Sequence, residues 1–112
     1  MLIKNARIFV GKTFVEGDIA FDETITAIGT VEGAADLDAQ GGYIIPGLVD
    51  IHTHGAVGGD FSDGKPEDLQ PMANYYAAHG VTSFLATTMT LPDEKFRRVG
   101  QSMAAASLPE MK

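Results

Sequence analysis

Apolar residues in the first thirty positions come in short runs broken by glycine and charge: LIKNARIFV, TFVEGDIAF and TITAIGTV, with GK and DE between them. Strand-length segments rich in Ile, Val, Phe and Thr, joined by turn residues, predict an antiparallel meander. A sheet that small buries little by itself. The next stretch, EGAADLDAQGG from Glu32 to Gly42, keeps neither a strand nor a helix period and reads as a linker.

Beyond it, strand alternates with helix. YIIPGLVDIHT is nearly continuous in apolar residues, which predicts a strand buried on both faces in a parallel sheet. Pro46 and Gly47 punctuate it, so the regular part begins at about Leu48. In KPEDLQPMANYYAAHG, the residues Leu69, Met72, Ala73, Tyr76 and Ala77 recur at helical spacing as one apolar stripe, with Gly80 as the stop. Pro71 puts the start of the regular helix near Gln70 and leaves Pro66 to Leu69 as an irregular first turn. VTSFLATTMT predicts a second strand of the same buried type, and the segment from Leu91 onward a second helix opened by Pro92 and two acids. Strand, helix, strand, helix is the opening of an α/β architecture.

Composition narrows the partners. The chain has 112 residues, 45% of them hydrophobic, which suits one ordinary globular domain and argues against intrinsic disorder. Eight Lys and Arg against 15 Asp and Glu give a net charge of −7, which argues against binding nucleic acid or an anionic membrane surface and for a small-molecule partner. There is no cysteine, so any metal must be held by imidazole and carboxylate. The amino-terminal stretch lacks the apolar core and cleavage site of a signal peptide, and no segment approaches the ~20 apolar residues of a membrane span. A cytoplasmic location is expected.

Chemistry concentrates in PGLVDIHTHGAVGGD. On a strand, His52 and His54 share a face about 6.6 Å apart along the backbone, a separation from which two imidazoles can lean onto one ion, while Ile51 and Thr53 point the other way. The alternative is two satisfied polar residues at a strand end. What favours a metal is the place: an apolar strand meets a glycine-rich loop at its C-terminal end, where parallel α/β sheets build their sites. Asp50 lies on the same face and either orients a histidine or holds the loop through main-chain hydrogen bonds. Gly55, Gly58, Gly59 and Asp60 form the candidate site loop. The glycines lack the following Lys-Ser/Thr of a phosphate-binding loop, so they read as positions needing permissive backbone angles. Asp60 and Asp63 read as caps of the next helical turn. His79, just before Gly80, reads as a structural residue at the negative end of a helix dipole. Thr87, Thr88 and Thr90 at the end of the second strand either face the site or reflect strand propensity.

LDAQGGYIIPGLVDIHTHG resembles the opening signature of the amidohydrolase superfamily: the turn Asp38 to Gly41, then Pro46-Gly47, then Asp50-x-His52-x-His54. HGAVGGDFSDG and HGVTSFLATTMT are more specifically similar to the N-acetylglucosamine-6-phosphate deacetylase family. The resemblance implies a (β/α)8 TIM-type barrel preceded by part of a small β-sandwich. Residues 1–43 would belong to the sandwich, and residues 44–112 would be the first two βα units of a barrel left incomplete, since a whole one takes roughly 250 residues. It implies His52 and His54 as ligands of a divalent metal, with zinc expected and iron, cobalt, nickel or manganese also compatible, and one or two ions in the full-length enzyme. Asp50 would be the supporting residue. The implied activity is metal-dependent removal of the acetyl group from N-acetylglucosamine 6-phosphate, giving glucosamine 6-phosphate and acetate. The partner would be that amino-sugar phosphate, and the full-length enzyme would be a homodimer. The catalytic Asp would lie beyond Lys112, so the 112 residues alone are expected to be an inactive N-terminal piece. The competing expectations are another amidohydrolase, of dihydroorotase or hydantoinase type, and a truncated product without catalysis.

Overall fold

The computed structural model describes residues 1–106, which separate into two compact units, Met1–Pro46 and Gly47 onward. The chain is α/β.

In the first unit, strands β1 (Leu2–Val10) and β2 (Thr13–Phe21) form an antiparallel hairpin, and β3 (Ile25–Gly29) pairs antiparallel with β2. This is the meander that the alternating runs predict. Ala6, Ile8 and Ile19 are its buried centre, flanked by Ile3, Phe21, Ala39 and Ile44. The hairpin register slips between Ile3 and Ala6, where Asn5 takes φ 56°. The Asp18 carboxylate secures that irregularity by accepting from the main-chain N–H groups of Val31 and Asn5, both at 3.1 Å. Those two bonds, Val31 first, hold the Asp18 carboxyl below its ordinary range.

The segment from Glu32 to Gly42 is not a free linker. Leu37–Asp38 is a short strand, β4, parallel to β1, and the main-chain N–H groups of Asp36, Ala39 and Gly41 donate to the oxygens of Leu2, Lys4 and Asn5. The far edge of β1 would otherwise carry unpaired backbone groups, and this polar stretch satisfies them without needing an apolar face. Tyr43–Ile44, as β5, pairs with the same edge. A join at 43/44 therefore cuts through this sheet, and Ile44 goes with the first unit.

The second unit is a βαβ arrangement. Parallel strands β6 (Leu48–Thr53) and β7 (Val81–Ala86) are joined through two 3₁₀ turns, Phe61–Asp63 and Pro66–Asp68, and helix α1 (Leu69–Ala78). Helix α2 (Asp93–Ala105) follows. Pro66 opens the second 3₁₀ turn and Pro71 falls in the first turn of α1, where no intrahelical N–H is lost. Gly80, at φ +79°, ends the helical stretch, its N–H donating to the oxygen of Ala77. Leu69, Met72 and Tyr76 pack with Phe61 as the core, against Val81 and Phe84 of β7, and Met72 is completely buried.

Two burial expectations fail. Ala77 is exposed, because the stripe that meets the core is carried by Leu69, Met72, Ala73 and Tyr76 and the fifth position lies past its edge. The two strands are not covered on both faces either: Val49 is 64% and Ile51 72% exposed, and Leu48 and Leu85 are also open. Helix α1 covers one face of a two-stranded ribbon, so the other apolar face has no cover among the described residues. Among those residues no helix is long and apolar enough to cross a membrane.

Candidate metal centre

The ladder between β6 and β7 is irregular where the histidines stand. Asp50 pairs with Phe84 and Thr53 with Ala86, so three steps along β6 oppose two along β7. This is a bulge at Ile51–His52, a device that re-aims side chains at the rim of a sheet. The Asp50 carboxylate accepts from the main-chain N–H of His52 at 3.0 Å and so satisfies the donor inside the irregular stretch. Of the two roles open to Asp50, the geometry is that of the main-chain bond.

His52 is exposed and His54 half-buried, and their rings meet edge-on with Nε2 atoms 3.3 Å apart. The Nδ1 of His54 lies 3.0 Å from the main-chain oxygen of Thr87. A carbonyl only accepts, so Nδ1 carries the hydrogen, and in the neutral ring the lone pair is on Nε2. The Nε2 of His52 faces it, and two imidazole nitrogens converging in this way are chemically suited to a divalent ion. Metal–nitrogen bonds of roughly 2.0–2.1 Å in tetrahedral geometry place two donors about 3.3–3.4 Å apart, which is the spacing of this pair. Among the described residues no third His, Asp or Glu completes a group of three around them.

Between the histidines, Thr53 is buried and turned the other way. Its Oγ1 is 2.6 Å from the Tyr76 hydroxyl of α1, and the Gly55 N–H donates to the same oxygen at 3.4 Å.

The loop after His54 doubles back tightly. Gly55 adopts φ +144°, and a Cβ there would sit 2.1 Å from the main-chain oxygen of Gly59. Only glycine fits such a contact. Gly58 has φ +88°, and Val57, at φ 47°, also lies in the left-handed region. Main-chain bonds from Gly59 to Ala56 and from Phe61 to His54, both 2.9 Å, close the loop. Asp60 caps the following 3₁₀ turn, accepting from the Ser62 N–H at 2.7 Å. That bond is the main reason the Asp60 carboxyl titrates below its ordinary range, with smaller help from the charges of His54 and Lys95. Asp63 pairs with Lys65 at 3.3 Å.

The threonines divide. Thr87 meets His54 through its main-chain oxygen, while its hydroxyl donates back to Leu85. Thr88 lines an apolar groove with Phe61, Phe96 and Met103 rather than the histidine pair. His79 caps α1, its Nδ1 donating to the oxygen of Tyr75 at 2.8 Å. Three participants escape a reading of the sequence: Tyr76, counted there only as an apolar position; Thr53, assigned to the far face; and Ser62, whose Oγ accepts from the Met89 N–H at 2.9 Å and ties the segment after β7 to the first 3₁₀ turn. The available signal was the tyrosine, because a buried phenol needs a partner.

No family model matches the chain. An N-acetylglucosamine-6-phosphate deacetylase of Vibrio furnissii is 43% identical over 77 residues, covering 66% of this chain and 19% of the relative. An adenine deaminase of Geobacillus kaustophilus is 36% identical over 89 residues, 77% of this chain and 14% of the relative. The crystal structure of N-acetylglucosamine-6-phosphate deacetylase from Pasteurella multocida superposes with a TM-score of 0.80 at 29% identity, over 92% of this chain and 29% of that one. The chain thus spans about a fifth of the curated Vibrio relative and under a third of the solved structure. In sequence and in fold, it is similar to a part of the N-acetylglucosamine-6-phosphate deacetylases.

Proposed function

We propose that the chain is part of a metal-dependent hydrolase that removes the acetyl group from N-acetylglucosamine 6-phosphate, releasing acetate and glucosamine 6-phosphate. The observation that carries this is the convergent His52–His54 pair on a strand whose sequence and fold match deacetylases of that substrate. In this reading the first unit, Met1–Pro46, contributes to a small β-sandwich, and the second, from Gly47 onward, belongs to the first two βα units of a (β/α)8 barrel.

His52 and His54 would hold the divalent ion, zinc being the first expectation. When bound, such an ion polarises the amide carbonyl and makes water available as a nucleophile near neutral pH. The chain's own residues prepare the place for it. Thr87 holds the hydrogen on Nδ1 of His54 and leaves Nε2 free, Asp50 keeps the bulged strand in shape, and the Gly55–Asp60 loop folds beside His54. Two imidazoles are half of a four-coordinate ligand set, so the remaining ligands and the Asp that protonates the leaving amine come from outside the described residues.

The test is acetate release from N-acetylglucosamine 6-phosphate by the protein that carries this chain, in wild-type form and with His52→Ala. The proposal expects turnover that the substitution abolishes. Similarity to an adenine deaminase favours a second reading, a different amidohydrolase acting on a cyclic substrate. Turnover of adenine or of a cyclic amide, with no acetate released, would replace the first reading by the second.

A further inference from the structure

We propose that Tyr76 is a positioning residue for the His52–His54 pair and acts through Thr53; this rests on the metal-site reading above. The backbone ladder is interrupted between Asp50 and Thr53 and resumes at Thr53, which pairs with Ala86 and whose oxygen accepts from the Thr87 N–H at 2.9 Å. A side chain adds a second hold at that point, from the opposite face. Thr53 sits between the two histidines in sequence and projects into the core, where its Oγ1 meets the Tyr76 hydroxyl at 2.6 Å. Rotation of the strand about its own axis would swing His52 and His54 together and withdraw Thr53 from that contact.

The contact resists such rotation because neither hydroxyl has a good substitute partner. Tyr76 is 6% and Thr53 9% exposed, Tyr76 packs with Phe61, Leu69 and Met72, and the second bond to Thr53, from Gly55, is long at 3.4 Å. Two unpaired hydroxyls in an apolar cluster are costly, so the pair locks the strand at the angle that joins them. The tyrosine is itself held, on helix α1 and against Phe84 with ring centroids 4.8 Å apart. Burial alone would be served by Phe at 76 and Val at 53, which occupy nearly the same space. The hydroxyl link adds direction, and the groups it aims are the two Nε2 atoms held 3.3 Å apart.

The experiment is cobalt(II) titration of the whole protein that carries this chain against a chromophoric chelator, with the visible spectrum of the bound ion recorded and thermal unfolding measured in EDTA. Tyr76→Phe and Thr53→Val are each expected to raise the cobalt Kd about tenfold and to alter the spectrum, as loss of a group supporting a ligand does. The double variant should be no weaker than either single one, because one link is broken in all three. Thr53→Ser keeps the hydroxyl and should stay within about twofold of wild type, and it carries the test with Thr53→Val if the tyrosine variant does not fold. Wild-type Kd and spectrum in Tyr76→Phe, whatever its melting temperature, would overturn the positioning role while leaving the metal site intact. Cobalt binding that is absent in wild type, or indifferent to His52→Ala, would overturn the metal site and this role with it.

Discussion

The Nδ1 of His54 lies 3.0 Å from the main-chain oxygen of Thr87, on the segment that follows the neighbouring strand. This contact decides which nitrogen of the ring is free. In long-range proton–nitrogen spectra of the metal-free protein, the neutral His54 ring should therefore appear as the Nδ1–H tautomer, which is the minor form of an unconstrained histidine. An Nε2–H ring would contradict the contact, and with it the assignment of Nε2 as a ligand atom.

Gly55 and Gly58 have positive φ for different reasons, and alanine at each should separate them. At Gly58 nothing lies within 4 Å of an added Cβ, so Gly58→Ala meets only the backbone penalty, about 1–2 kcal/mol. At Gly55 the Cβ would collide with the oxygen of Gly59 at 2.1 Å, and the loop must open, for a loss of about 3 kcal/mol. Urea unfolding of the two variants checks the order. A Gly55→Ala protein as stable as Gly58→Ala would mean that the loop does not double back in this way.

Asp60 contributes to acid stability through the cap it forms. Its carboxyl is held below the ordinary range chiefly by the Ser62 N–H, so the folded state binds this proton less readily than the unfolded one. The contribution is fully present above the unfolded value of about 3.9 and is lost as pH falls through the lower folded value. Asp60→Ala should cost about 1 kcal/mol at pH 7, at the lower end because the carboxyl is close to solvent. The gap in melting temperature between wild type and variant should shrink below about pH 4. A gap that persists unchanged down to pH 2.5 would show that the charged cap is not its source.

What could be read from the residues alone was what repeats locally. Alternation along β1 to β3, the stripe of Leu69, Met72 and Tyr76, the stop at Gly80 and the opening of α2 at Pro92 are each set by neighbours a few positions away, and the structure keeps them. The His52-Thr53-His54 spacing at the end of an apolar strand likewise puts two imidazoles on one face. Pairing across the fold was not legible in that way. Leu37–Asp38 became a strand because the edge of β1 needed partners, although its own residues show no period. Val49 and Ile51 look buried by composition yet are exposed, since burial depends on what covers them. The bulge at Ile51–His52, the Thr87 oxygen on His54 and the hydroxyl pair of Thr53 and Tyr76 join residues 23 to 33 positions apart, or depend on a register between two strands. Spacing along a chain determines which face a side chain shares. Only the folded chain determines how strand, loop and helix bring two nitrogens to 3.3 Å and hold them there.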